Sequence, residues 1–274
     1  MPELPEVETV RRRLEDLLCG KEICEVELRC AHLRSPVPTG LTEFLNHAQV
    51  SAVGRQGKYL FIHLNRGTWL VHLGMSGRFL FATPANANDA KHDHLVLHMS
   101  GGLTVRYNDF RRFGNFAICS SEALATQPAL SRLGIDALSA ELNGEVLFEL
   151  LNNKNTPIKT SLLNQGLISG IGNMYACEIL YWSDIHPTRP SCSLSRSETH
   201  KLARAINNVL SAAVESGGAT LPDYAGTSGA LGTFHHHFAV FGRHGHPCPR
   251  CEVPCVSKVP LGGRTTYYCP THQK

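Results

Sequence analysis

Two pairs of metal-type donors at the C-terminus constrain this chain more tightly than any other feature. The last 27 residues read "CPRCEVPCVSKVPLGGRTTYYCPTHQK", giving Cys248-x2-Cys251, seventeen residues, and then Cys269-x2-His272. Thiolates and imidazole at this spacing match a zinc ribbon, in which two knuckles on two hairpins hold one tetrahedral ion. Such a site is closed, so it organises the fold rather than carrying out chemistry. Cys255 could replace Cys251 as a ligand, and the spacing leaves that choice open. The other cysteines, Cys19, Cys24, Cys30, Cys119, Cys177 and Cys192, are scattered without a framework, as expected of free thiols in a reducing compartment.

A chain of 274 residues with 42% apolar content can bury a sizeable core and divides into two or three domains. Its formal charge of +3 is too small to announce a nucleic-acid partner. The distribution says more. Arg243, Arg250, Lys258, Arg264 and Lys274 face only Glu252 in residues 241–274, so the basic excess sits at the C-terminus. No basic segment leads into an apolar one at the start, and no apolar run is long enough to span a bilayer. The expectation is a soluble, cytoplasmic protein.

Along the chain, Val7, Val10, Leu14, Leu17 and Leu18 recur at helical spacing between Glu6 and Leu18, and Gly20 suits the stop. Pro5 fits a first-turn position, where a missing N–H is harmless. Residues 22–120 change period: "TWLVHLGMSGRFLF", "HDHLVLHM" and "LTVRYND" are short strand-like runs, with Gly101-Gly102 as a hairpin turn. They predict an antiparallel sandwich or barrel. "ATPANANDA" (82–90) reads as a mobile surface loop, and the Gly/Thr/Ser-rich 218–233 as a flexible one. Helices follow from about 121–145 onward. Thr156-Pro157 reads as a cap with a first-turn proline. Ser195-x-x-Glu198 reads as a capping box, stapled by Leu194, for a helix that ends at Gly217-Gly218. His92-x-His94 and His235-His236-His237 read as polar surface rather than as ligands.

The opening "MPELPEVE" is acidic and stiff for a free end. Removal of a methionine that precedes proline exposes Pro2 as a secondary amine, able to attack C1′ of a sugar and form an iminium. A helix N-terminus beside it favours the unprotonated amine. Ionised Glu3 opposes that effect, whereas protonated Glu3 becomes a general acid for the ring oxygen. The plainer reading is a helix lead-in with acidic first-turn residues.

"PELPEVETVRR" resembles the start of bacterial formamidopyrimidine-DNA glycosylases, a bifunctional repair family that also includes the endonuclease VIII type. The likeness continues through "GRQGKYL" (54–60), "HLGMSGRF" (72–79), "YNDFRRFG" (107–114), "LLNQGLISGIGNMYACEIL" (162–180) and the ribbon. It implies an α+β fold: an N-terminal antiparallel β-sandwich with flanking helices (1–130), a helix-two-turn-helix domain with a lesion-capping loop (131–235), and a zinc-ribbon finger (236–274). It also implies a catalytic set of Pro2 as nucleophile, Glu3 as proton donor, and Lys58 and Arg264 around the sugar and its phosphates. Glu6 would support the active-site end of the helix, and His72 and Asn173 would join Arg264 in holding phosphates. Met75 and Phe113, which alone read as core residues, would join Arg111 in filling the gap left by a flipped nucleotide, with Arg111 facing the orphaned cytosine.

The function implied is excision of oxidised purines, 8-oxoguanine opposite cytosine and formamidopyrimidines, with β,δ-elimination. The working form would be a bacterial monomer on double-stranded DNA, carrying one structural Zn(2+) held by Cys248, Cys251, Cys269 and His272. The rival readings are an oxidised-pyrimidine glycosylase of the endonuclease VIII type and a catalytically silent binder of damaged DNA. The sequence departs from the family pattern at Phe110 (usually proline), Thr233 (usually tyrosine) and His272 (usually cysteine), and has seventeen rather than sixteen residues between the knuckles.

Overall fold

In the computed structural model, which describes residues 2–82, 91–219 and 232–274, the stripe of Val7, Val10, Leu14 and Leu18 forms the buried face of helix α1 (Leu4–Leu18). The helix begins two residues earlier than the periodicity suggested, because Glu3 and Glu6 close a reciprocal capping box around its first turn. Gly20, with φ of +80°, follows its end. The surface loops predicted at 82–90 and 218–233 fall almost entirely outside the described residues. The chain divides into two units, Met1–Ser131 with Ala219–Gly232, and Arg132–Gly218 with Thr233–Lys274.

In the first unit, α1 is followed by β1 (Ile23–Leu28), a short α2 (Leu41–Leu45), β2 (Val50–Gln56), β3 (Tyr59–Leu64), β4 (Gly67–His72), β5 (Arg78–Ala82), β6 (Asp93–Met99), β7 (Thr104–Asn108) and β8 (Asn115–Cys119). They form two four-stranded sheets, ordered β1-β6-β7-β5 and β2-β3-β4-β8. All the pairings are antiparallel. Alternate residues of both sheets and the apolar face of α1 share one core. Trp69 and Phe116 from one sheet meet Phe79 and Tyr107 from the other edge-to-face, with ring centroids 4.8–6.1 Å apart. This is the antiparallel sandwich that the period-two runs predicted. Gly101 and Gly102 turn the β6–β7 hairpin, with φ of +83° and +80°.

In the second unit, β9 (Ile135–Asp136) pairs in parallel with β10 (Ile168–Ser169). Between them lie α3 (Gly144–Leu151) and α4 (Ile158–Leu163). Beyond β10 come α5 (Asn173–Trp182), α6 (Arg196–Glu215), and a hairpin of β11 (Ser257–Leu261) and β12 (Arg264–Tyr268). Ser195 and Glu198 form the capping box at the head of α6, as predicted. Thr156 does not cap α4: Pro157 occupies that position, and the Thr156 hydroxyl lies 2.9 Å from Ser161 Oγ instead. The turn joining α4 to α5 is held by Gln165. Its amide donates to the Leu163 and Ile171 carbonyls at 3.0 and 2.9 Å, while its oxygen accepts the Gly170 N–H at 2.9 Å.

The tail packs on α5: Cys177 and Tyr181 share a small core with Ala239, Val240, Cys248, Val256 and Cys269. Two hairpins were expected here; among the described residues, the β11–β12 pair is the one built from strands. His94, expected on a sheet surface, is buried, with Nε2 2.8 Å from the Asp109 carbonyl. The triplet His235–His237 lies in a short 3-10 turn, Phe234–His237.

Candidate active site and metal centre

The head of α1 gathers Pro2, Glu3 and Glu6, all buried. The Glu3 N–H donates to Glu6 Oε2 at 2.8 Å, and the other Glu6 oxygen accepts the Ala219 N–H, also at 2.8 Å. Glu6 is therefore held through both oxygens and fixes the backbone at Glu3. The Glu3 carboxylate in turn accepts from the Glu6 N–H. Buried carboxylates at a helix N-terminus meet the positive end of the helix dipole, which offsets part of their desolvation.

Lys58 lies in the turn between β2 and β3 and is 8% exposed. His72 ends β4. Burial, together with the charges of Lys58 and Arg34, pushes its pKa down to about 4, so at neutral pH the ring is uncharged. Its Nδ1 accepts the Gly74 N–H at 3.0 Å. A neutral imidazole that accepts at Nδ1 carries its proton on Nε2, which makes His72 a hydrogen-bond donor without a charge.

Beyond His72, the loops carrying Met75 and Arg111–Phe113 are fastened together by Asp109, which is fully buried. One Asp109 oxygen accepts the Ser76 hydroxyl and the other accepts the Gly114 N–H at 2.7 Å. Ser76 Oγ also accepts the Arg111 N–H at 3.1 Å. The contact is backbone to backbone: a Cβ on Gly74 would stand 2.2 Å from the Phe113 carbonyl oxygen. Phe113 is 41% exposed, and the Arg111 guanidinium lies over its ring with 4.8 Å to the centroid. Phe110 is also exposed, 6.4 Å from the His92 ring. The loop is pinned on either side of Phe110, so the departure from proline leaves the attachment of Arg111 intact.

In the second unit, Asn173 opens α5 behind the Gly170-Ile171-Gly172 turn. Its amide is fixed by Lys159, which is fully buried and donates to Asn173 Oδ1 at 2.6 Å and to Thr266 Oγ1 at 2.7 Å. Asn173 Nδ2 donates to the Thr265 carbonyl at 3.1 Å, placing it beside Arg264 at the start of β12. A polar groove of about 590 Å³ runs past Lys154, Thr160, Asn164 and Arg264. Sequence reasoning missed two groups here. Lys159 reads as an ordinary helix lysine in "TPIKTSLL", and only the fold buries it. Glu178 accepts the N–H groups of Ala239, Val240 and Phe241 at 2.8, 3.0 and 2.8 Å. A lone carboxylate inside the apolar run "NMYACEILYW" was the available signal.

At the tail, the sulfurs of Cys248, Cys251, Cys255 and Cys269 lie within 4.8 Å of one another. Cys269 Sγ is 3.7, 3.8 and 3.6 Å from those of Cys248, Cys251 and Cys255. His272 Nε2 sits 3.3 Å from Cys251 Sγ. Sequence spacing treated Cys251 and Cys255 as alternatives, whereas the structure brings both in. Thiolates so grouped fit a structural zinc ion. Buried Gln273 braces the site, accepting the Cys269 N–H at 2.7 Å and donating to the Ile185 carbonyl at 3.0 Å.

Comparison with known proteins places this arrangement. Residues 1–116 match the model of the formamidopyrimidine-DNA glycosylase N-terminal domain, and residues 133–224 match that of its H2TH domain. Proteins named formamidopyrimidine-DNA glycosylase from Methylobacterium radiotolerans and Cereibacter sphaeroides are 43% and 41% identical, covering all of this chain and 99–100% of theirs. Among solved structures, the Lactococcus lactis Fpg bound to DNA with an abasic site superposes with a TM-score of 0.90 at 31% identity, over 99% of both chains. The same Lactococcus protein with DNA containing an oxidised pyrimidine matches at 0.90 and 30% identity, over 100% of both chains. With its sandwich, its helix-two-turn-helix element and full-length relatives at this identity, the chain belongs to the formamidopyrimidine-DNA glycosylase family.

Proposed function

We propose that the protein is a bifunctional DNA glycosylase and abasic-site lyase of base excision repair, acting on oxidised purines in duplex DNA. The observation that carries the reading is the buried, doubly anchored head of α1, where Glu6 fixes the turn bearing Pro2 and Glu3. With Met1 removed, the Pro2 nitrogen attacks C1′ of the damaged nucleotide. The bond from C1′ to the base breaks, and the base leaves with a proton. Glu3, in its acid form, protonates the sugar ring oxygen, and the ring opens to an iminium between Pro2 and C1′. Loss of a C2′ proton then expels the 3′ phosphate, a second elimination expels the 5′ phosphate, and water releases the sugar remnant from Pro2.

Lys58 supplies a buried ammonium near the sugar and its phosphate, and His72 offers its neutral Nε2–H to a phosphate oxygen. Asn173 and Arg264 take phosphates flanking the lesion, with α5 adding its N-terminal dipole. Met75, Arg111 and Phe113 occupy the space vacated by the extruded nucleotide, and Arg111 offers its guanidinium edge to the orphaned cytosine. A zinc ion held by the tail thiols acts as a cross-link and takes no part in the chemistry.

Borohydride reduction during reaction with an 8-oxoguanine:cytosine duplex should trap a covalent adduct through Pro2. No adduct from protein whose intact mass shows Met1 removed would sink the lyase, leaving a silent binder of damage. The Lactococcus complex with an oxidised pyrimidine supports a second reading, preference for damaged pyrimidines. Faster excision of thymine glycol than of 8-oxoguanine would establish it.

A further inference from the structure

We infer that the metal centre of this chain is a four-thiolate site in which Cys255 takes the place expected of His272, so that one ion clamps both ends of the β11–β12 hairpin. This rests on the zinc reading of the tail given above. Four sulfurs about 2.3 Å from a tetrahedral ion stand about 3.8 Å apart. The three spacings that meet at Cys269 are 3.7, 3.8 and 3.6 Å, and Cys255 makes one of them. Two thiols can reach such a distance by chance packing, whereas four in mutual reach fit one common centre. A tetrahedral ion has no fifth position, and the mutually close set is Cys248, Cys251, Cys255 and Cys269.

Cys255 also has the surroundings of a bound thiolate. The Cys248 N–H donates to its sulfur at 3.3 Å, a bond that stabilises negative charge on sulfur. His272, 3.3 Å from Cys251 Sγ, is placed to donate a ring N–H to that thiolate and hold it in position. The departures from the family pattern then explain one another. The first knuckle is enlarged to Cys248-x2-Cys251-x3-Cys255, and the second knuckle supplies Cys269 alone.

The position of Cys255 has a mechanical effect. It lies two residues before β11, and Cys269 follows β12 directly. Both strands of the hairpin whose turn leads into Arg264 are therefore tied to one ion. A site built on Cys248, Cys251, Cys269 and His272 would hold only the β12 end.

X-ray absorption of the zinc-loaded full-length protein should show four sulfur neighbours at about 2.3 Å and no nitrogen near 2.0–2.1 Å. His272→Ala should keep that four-sulfur shell and one zinc per chain. Cys255→Ser should bring in a nitrogen neighbour as His272 swings over, or lower zinc affinity by more than about tenfold. A shell of three sulfurs and one nitrogen in the unaltered protein would overturn the assignment and leave the zinc reading standing. Metal content well below one per chain after zinc loading would overturn both.

Discussion

His72 shows how far one side chain can be read from its surroundings. The family resemblance marks it as a phosphate ligand, but nothing in the sequence gives its charge or tautomer. Burial next to Lys58 and Arg34 keeps it uncharged, and the Gly74 N–H selects its tautomer. The pH consequence has a definite sign. An unfolded histidine titrates near 6.5 and the folded one near 4. Between those values the unfolded chain binds the extra proton, so stability falls as pH drops from about 6.5 towards 4. Replacing His72 with Gln should flatten this part of the pH–stability curve in urea titrations. A ring that NMR shows titrating near 6.5 in the folded protein would contradict the assigned state. Pro2 is the opposite case. Its place before a helix raised it as a candidate nucleophile beside the plainer reading of a helix lead-in, while the two hydrogen bonds that hold Glu6 could not be foreseen, because one comes from residue 219.

At the scale of elements, local signals served where the chain satisfies itself within a few residues. The face of α1, the Ser195–Glu198 box and the Gly101-Gly102 turn were all legible for that reason. Thr156 was misread because its hydroxyl has a better partner in Ser161, supplied only when α4 forms. Lys159 and Glu178 failed to stand out for a related reason: each is a charged group whose partners lie over sixty residues away in sequence or on another element. Glu178 ties residues 239–241 to α5, so Glu178→Gln would set an amide NH2 against backbone N–H donors. A loss of about 1–3 kcal/mol is expected, since at least one buried donor goes unmet. Equilibrium denaturation measures it, and an unchanged midpoint would show that the three N–H bonds do not anchor that segment. The donors of the tail lie between these cases. Their types were plain from spacing, but only the fold brings Cys251 and Cys255 together beside Cys248 and Cys269.

For the whole molecule, composition was a weak guide. A charge of +3 hides a basic C-terminal segment, and it is the arrangement of cationic and neutral donors that suits a polyanion. Among the described residues, no helix is long and apolar enough to cross a membrane. If several phosphates are held at once, log affinity for duplex DNA should fall linearly with log salt. Arg264→Ala should reduce that slope by about 1 and weaken binding to damaged and undamaged duplex alike. A slope that does not change would remove Arg264 from the phosphate contacts. Motifs spread over the whole length made the family legible from sequence. Lesion preference was not legible from them.

The loops carrying Met75 and Arg111–Phe113 have one more consequence. Asp109, Ser76 and the close approach of Gly74 to Phe113 fasten these loops through their backbone, so the exposed side chains at 110, 111 and 113 are not what holds them. The identity of the tip side chains and the holding of the loops are thereby separate matters at this place. Exchanging a tip side chain leaves the hydrogen bonds to Asp109 and Ser76 where they are. Phe110, standing where proline is usual, lies on a loop that is held in this way. A side chain at position 74, or the loss of the carboxylate at 109, would undo that hold whichever residue the tip carried.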